Sequence, residues 1–194
     1  ATPEIIRETV AESTYTYTPS PEELREVMEE AGLEEEVIER AVEQAGDVQI
    51  TRELVVERQE NTVTGEVTYQ SRFSIRIFNS SNKGFEDITI VEYIPKEVAA
   101  SASEIQSLAE FEVLKEDPII AWHVNRLEPQ QVLVIEYWVE KEVDKEAFEG
   151  GKTLFQAARE KIAVAKSSLT VYVITEEGKA IEEPIEVNLL NELG

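Results

Sequence analysis

With 194 residues, 42% of them hydrophobic and 30% charged, the chain has the composition of a folded protein of one domain, or one domain with a small satellite. Its 18 basic and 41 acidic residues leave a formal net charge of −23, which repels phosphate backbones and anionic head groups and argues against nucleic acid as a partner. The absence of Cys excludes disulfides, thiol catalysis and Cys-ligated zinc, and no apolar run approaches the ~18 residues that a membrane span needs.

The first segment, 1–47, opens with alternating Thr and Tyr from Ser13 to Thr18, a pattern that predicts a strand with one half-buried face. Ser20-Pro21-Glu22-Glu23 then supplies an N-cap, a proline in the first turn and a capping-box glutamate. Leu24, Val27, Met28 and Ala31 follow at helical spacing up to Gly32, and Val37, Ile38, Ala41 and Val42 repeat the spacing before Gly46. The two stretches predict an acidic helical hairpin. Ten Glu and Asp47 against Arg25 and Arg40 give residues 21–47 a net charge of −9. Glu29, Glu30, Glu34, Glu35 and Glu36 are therefore candidates for docking a basic partner, although a solvated outer face is the commoner meaning of such a run.

From Val48 the hydrophobic period shortens toward two. Strands are predicted from Val48 to Val56 and from Val67 to Ile77, joined by the turn residues Asn61 to Gly65. A polar loop over Asn79–Gly84 leads to a strand around Ile88–Tyr93 that stops at Pro95. A short helix is expected over Ser101–Leu108, then strands at Phe111–Leu114, Ile119–Val124 and Val132–Val139, with Pro118 and Pro129 at their boundaries. In the last segment, 143–194, Leu154, Ala158, Ile162 and Ala165 predict a helix over Thr153–Lys166, and Leu169–Ile174 with Pro184–Leu189 predict a closing β-hairpin. The fold class expected is mainly β, of α+β type: an antiparallel β-sandwich with appended helices.

No catalytic, cofactor or metal site is predicted. His123 is the only histidine, and no nucleophile elbow accompanies it. Gly150-Gly151-Lys152-Thr153 lacks the earlier glycine of a phosphate loop, since position 146 is Glu146. Asn79, Asn82, Glu86 and Asp87 match no established calcium-loop spacing. Asn79-Ser80-Ser81 is an Asn-x-Ser acceptor in an expected surface loop, so Asn79 is the candidate for glycosylation. Of the 41 acids only Asp47, Asp87, Asp117 and Asp144 are aspartate. That glutamate bias, with one Met and no Cys, is the usage of heat-adapted proteins.

Phe73-Ser-Ile-Arg-Ile-Phe-Asn79, Phe85-Glu-Asp-Ile-Thr-Ile-Val-Glu-Tyr-Ile-Pro95, Ile119-Ile-Ala-Trp122, Leu127-Glu-Pro129 and Val134-Ile-Glu-Tyr137 together resemble an immunoglobulin-like repeat. The resemblance is to the modules of archaeal S-layer and other cell-surface proteins, including the CARDB type, and covers about residues 48–142. Gln130-Gln131 stands where those modules often carry a glycine. The resemblance implies an immunoglobulin-like sandwich with Trp122 between the sheets, and a spacer, adhesion or envelope role.

The expected function is thus a non-enzymatic structural or interaction module of a cell envelope, in a surface layer, stalk or filament. The alternatives are a soluble module whose acidic hairpin captures a basic protein, and the accessory domain of a surface enzyme. The chain opens at Ala1 and its only methionine is Met28, which predicts a longer precursor and an extracellular or envelope address, with a cytoplasmic one as the alternative. Membrane attachment is expected only through segments outside this sequence. Protein partners are expected, self-association among them, with Trp138, Tyr15 and Tyr17 as contact candidates. In one form of self-association the Tyr/Thr strand leaves its own domain and completes a neighbour's sheet.

Overall fold

Period-two segments of the chain pair into two antiparallel sheets. The computed structural model describes residues 4–162 and the short strands 169–171 and 185–187. Sheet A takes β1 (Ile5–Tyr17), β2 (Val48–Asn61), β3 (Val67–Asn79), β8 (Val132–Val139) and β5 (Gln106–Ser107), in that order. Sheet B takes β6 (Glu112–Lys115), β7 (Ile119–Leu127), β4 (Lys83–Tyr93) and β9 (Lys152–Ile162). The fold is mainly β, as expected, and the two sheets stack in the manner of a β-sandwich. Ile50, Leu54, Phe73, Ile75 and Tyr137 of sheet A share one core with Phe85, Ile90, Trp122 and Phe155 of sheet B.

Two helices form where the caps predict them. α1 (Pro21–Glu30) begins at Ser20, whose Oγ accepts from Glu23 N at 3.2 Å while Ser20 N donates to Glu23 Oε2 at 3.0 Å. The chain turns at Gly32, whose φ of 76° suits a residue without Cβ, and α2 (Glu35–Gln44) follows. Leu24, Val27 and Met28 of α1, with Ile38 and Ala41 of α2, pack on Val91, Ile119, Ala121 and Leu154. Each large buried side chain contributes about 1.5–3 kcal/mol by leaving water. Sheet B is consequently covered on both faces, by sheet A below and by the helices above.

That double cover corrects the reading of the last segment. The spacing over Thr153–Lys166 predicts a helix; the chain instead runs as β9 through Ile162 and pairs with β4 from Tyr93↔Lys152 to Lys83↔Ile162. Thr153, Leu154, Phe155, Gln156 and Ala157 are all buried, because both faces of the strand are covered. A strand in that position shows no polar alternation, and Leu154, Ala158 and Ile162 imitate a helical stripe. The short helix expected over Ser101–Leu108 is a single 3-10 turn at Ala102–Glu104, and a helix that the spacing does not announce, α3 (Lys145–Glu149), precedes β9.

Two backbone irregularities, one of them a bulge, set which residues face the core. In β4, Asp87 has φ 51° and is unpaired in both ladders although neither register shifts, and this backbone twist lets Phe85 and Ile88 both reach the core although they are three apart. In β1, the ladder to β2 shifts between Thr9 and Ala11, leaving Val10 as the extra residue. Beyond the end of β8 at Ser71↔Val139, β1, the end of β2 and the start of β3 continue as a three-stranded ribbon.

Two compact units divide the chain, 1–162 and 163–194. In the second, β10 (Leu169–Val171) pairs antiparallel with β11 (Ile185–Val187). Ala163–Lys166, the end of the expected helix, and the Glu176–Gly178 turn lie outside the described residues.

Candidate functional site

The strongest polar constellation lies between the sheets. Arg52 on β2 and Glu92 on β4 occupy inward positions of facing sheets, with side chains only 2% and 0% exposed, and Arg52 Nη2 donates to Glu92 Oε1 at 2.6 Å. Tyr137 OH on β8 donates to the same oxygen at 3.0 Å, and Thr153 Oγ1 on β9 donates to Glu92 Oε2 at 2.5 Å. Four strands thus converge on one carboxylate. The guanidinium lies 5.5 Å over the ring of Phe148 from α3, and a Cβ on Gly151 would overlap Arg52 Nη2. Gly151 therefore serves as the backbone wall of an arginine slot, and the Gly-Gly-Lys-Thr run opens a strand.

Burial pushes the Glu92 carboxyl above its ordinary range, opposed by the Arg52 charge and by the hydrogen bonds from Thr153 and Tyr137. Burial is the largest influence on Arg52 and works against its charge, but Glu92 together with Tyr137, Tyr15 and Tyr17 outweighs it, so the guanidinium pKa is raised and the group stays ionised. Tyr15 and Tyr17, on the inward face of β1, border the same region. Tyr15 packs edge-on against Phe148 at 5.2 Å, and both hydroxyls are buried without a partner among the described residues. Burial raises the phenol pKa of both. These two tyrosines are inward-facing residues of their own domain rather than exposed contacts. Trp122 is buried as expected, over Tyr137 at 5.9 Å, with no acceptor for its Nε1 among the described residues.

A second constellation lies on the surface. His123 Nε2 is 3.0 Å from Glu112 Oε2, and Nδ1 is 3.3 Å from Thr89 Oγ1. His123 and Thr89 border an open groove of about 360 Å³ with Arg40, Asp87, Asn125 and Gln156. His123 is 62% exposed and Glu112 58%, so water screens the pair and the threonine hydroxyl meets a solvated ring. Asp87 and Glu86 are engaged by Arg159 and Lys161, at 2.9 Å and 2.7 Å.

Asn79 is not in an exposed loop. It is the last residue of β3, fully buried, and its Nδ2 donates to Lys83 O at 2.7 Å while Oδ1 accepts from Ser81 N at 3.1 Å. A glycan linked to Nδ2 would require the β3–β4 corner to open, so the acceptor assignment is corrected: the Asn is there to tie the corner. Among the five helix glutamates, Glu30 pairs with Lys115 at 2.6 Å, Glu35 with Arg25 at 3.1 Å and Glu36 with Arg40 at 2.7 Å. Glu29 and Glu34 are exposed, and Glu34 is the N-cap position of α2. Trp138 is half-buried on the outer face of sheet A and donates to Gln106 Oε1 at 3.0 Å.

The two long outer strands differ in how their edges are finished. On β9 the buried side-chain amide of Gln44 imitates a neighbouring strand: Nε2 donates to Ala157 O at 3.0 Å and Oε1 accepts from Ala157 N at 2.8 Å. Arg40 Nη1 donates to Ala158 O at 3.1 Å. On β1 the Thr62–Glu4 contacts, at 3.0 Å and 3.1 Å, extend the ladder with β2 and leave the opposite edge untouched. Among the described residues no side chain closes the outer edge of β1, which carries Ile5, Ile6 and Val10 at 47%, 53% and 43% exposure. Sequence reasoning does not single out Arg52, Glu92 and Gln44; only their polar identity inside apolar patterns marks them.

The chain matches no protein-family model, and a search of curated proteins found none that is similar to it.

Proposed function

We propose that the chain is a non-catalytic building module of a cell envelope, immunoglobulin-like in the manner of archaeal surface-layer repeats, which joins its neighbours through a strand edge. The observation that carries this reading is the contrast between the two outer strands. One edge is sealed by a buried glutamine, whereas the other, 13 residues long and without Pro or Lys, presents its backbone and three exposed aliphatic side chains. Unprotected edges of that length pair with other chains. The strand and turn residues between Phe73 and Tyr137, which resemble that repeat type, support it. So does the inward placement of Arg52 and Glu92, which clamps the sheets of a module that carries load.

Immunodetection in fractionated source cells tests the reading. Recovery with the envelope supports it; recovery in the soluble cytoplasmic fraction, or turnover of a defined substrate by the purified chain, sinks it.

A further inference from the structure

We infer that β1 pairs with β1 of a second copy of this chain, antiparallel about a two-fold axis between Thr9 and Val10, so that Arg7 of each copy faces Glu12 of the other. The inference deepens the edge-pairing reading above and rests on it.

The register follows from the bulge. Arg7 pairs with Gln59 and Glu12 with Val55 on β2, and those partners are four apart, so they share a face of the sheet. Arg7 and Glu12 therefore point to the same, outer face although they are five apart in sequence. In an unbulged strand residues five apart face opposite sides. They could not then oppose each other in one continuous antiparallel sheet. With the extra residue at Val10, pairing Arg7 with Glu12 also sets Glu8 opposite Ala11 and Ile6 opposite Ser13. The register of Glu8↔Arg58, Ala11↔Val56 and Ser13↔Leu54 places all of these on the inner face. Face matches face along the whole contact, and the two-fold repeats it.

Charge selects this register from its neighbours. Arg7 has no ion-pair partner among the described residues, although the chain carries a net charge of −23. The register displaced by two residues in the sum of positions sets Thr9 against Glu12 and Arg7 against Thr14, and leaves the charges unmatched. Opposite charges directly across a ladder stabilise it and like charges destabilise it. The pairing would also draw Ile5 and Val10 against a neighbouring strand. The long-range repulsion between two acidic copies is cut to a range of about 8 Å at 0.15 M salt.

Because the chain has no cysteine, introduced thiols report this contact alone. R7C and E12C are made separately and mixed under mild oxidation. Directly opposed residues bring Cα atoms within about 5.5 Å, inside disulfide range, whereas the two copies of position 7 would lie about 17 Å apart. A disulfide-linked dimer in the mixture but in neither variant alone is the expected result. By sedimentation velocity, R7E and E12R should each raise the dimer Kd about tenfold, and R7E/E12R should return it to within about threefold of the parent. Unchanged urea midpoints show that these exposed substitutions leave the fold intact. A monomer at every concentration, a cross-link within either variant alone, or an R7E dimer as tight as the parent overturns the inference. A monomer that still fractionates with the envelope overturns this register and leaves the envelope reading standing.

Discussion

Arg52 and Glu92 meet at 2.6 Å across the two sheets, and neither side chain reaches water. Strands β2 and β4 are joined here by charge as well as by apolar packing. Removing one partner of such a pair strands the other in a dry interior, which costs about 3–5 kcal/mol, whereas replacing both by apolar groups of similar volume costs far less. R52M and E92M should each lower the unfolding free energy by that amount, and R52M/E92M should be more stable than either single variant. Urea denaturation measures all three. Strictly additive losses would mean that the pair does not couple the sheets.

Gly151 should tolerate no side chain. A methyl there would overlap Arg52 Nη2 and come within 2.7 Å of Nη1, and the guanidinium is held on its other side by Phe148 and Glu92. G151A is expected to cost about 2–3 kcal/mol, an overpacking penalty that R52M should largely relieve. A melting temperature for G151A equal to that of the parent would place the guanidinium elsewhere.

Gln44 substitutes for a strand on the β9 edge. Q44L keeps the volume but leaves Ala157 N and O without partners, a loss of about 2–4 kcal/mol for two buried groups. It should also expose a second pairing edge, so light scattering on heating should begin at lower temperature than in the parent. Equal onset would mean that the edge is protected by something other than the amide.

Alkaline pH should unfold the chain through its buried phenols. Burial raises the pKa of Tyr137, Tyr15 and Tyr17 in the folded state. The unfolded chain therefore loses these protons first, and stability that is complete below pH ~10 falls as pH rises from there toward the folded values. Urea midpoints should decline above pH ~10, and the slope should shrink by nearly one proton in Y137F. Of the six tyrosines, the phenolate absorbance of these three should appear together with unfolding, and Y137F should reduce the step that coincides with it.

Much of this architecture is written in the sequence, and the gaps have physical causes. Ser20 and Glu23 announce α1, and the alternation of Phe73, Ile75 and Ile77 with Ser74 and Arg76 announces β3, because each element has one wet face. β9 has none over its first half, so Thr153–Ala157 carry no period that distinguishes strand from helix. Asn79 reads as a surface acceptor because the tripeptide is a local pattern, while its burial depends on Lys83 and Leu127 folding back over it. Arg52 and Glu92 lie 40 residues apart, each on the otherwise apolar inward face of its strand, and only the stacking of the sheets makes them partners.

The double cover of sheet B also sets the order in which the molecule lets go. Amide protons of β4, flanked by β7 and β9 and shielded by helices on one side and a second sheet on the other, can exchange with deuterium only when the whole first unit opens. Those near Ile5–Thr9, paired on a single side and roofed by nothing among the described residues, exchange through fraying that leaves the remainder undisturbed. A neighbour gripping that strand would therefore be held by a weakly cooperative part of the first unit, and its arrival would be legible as a slowing of exchange confined to the first dozen or so residues.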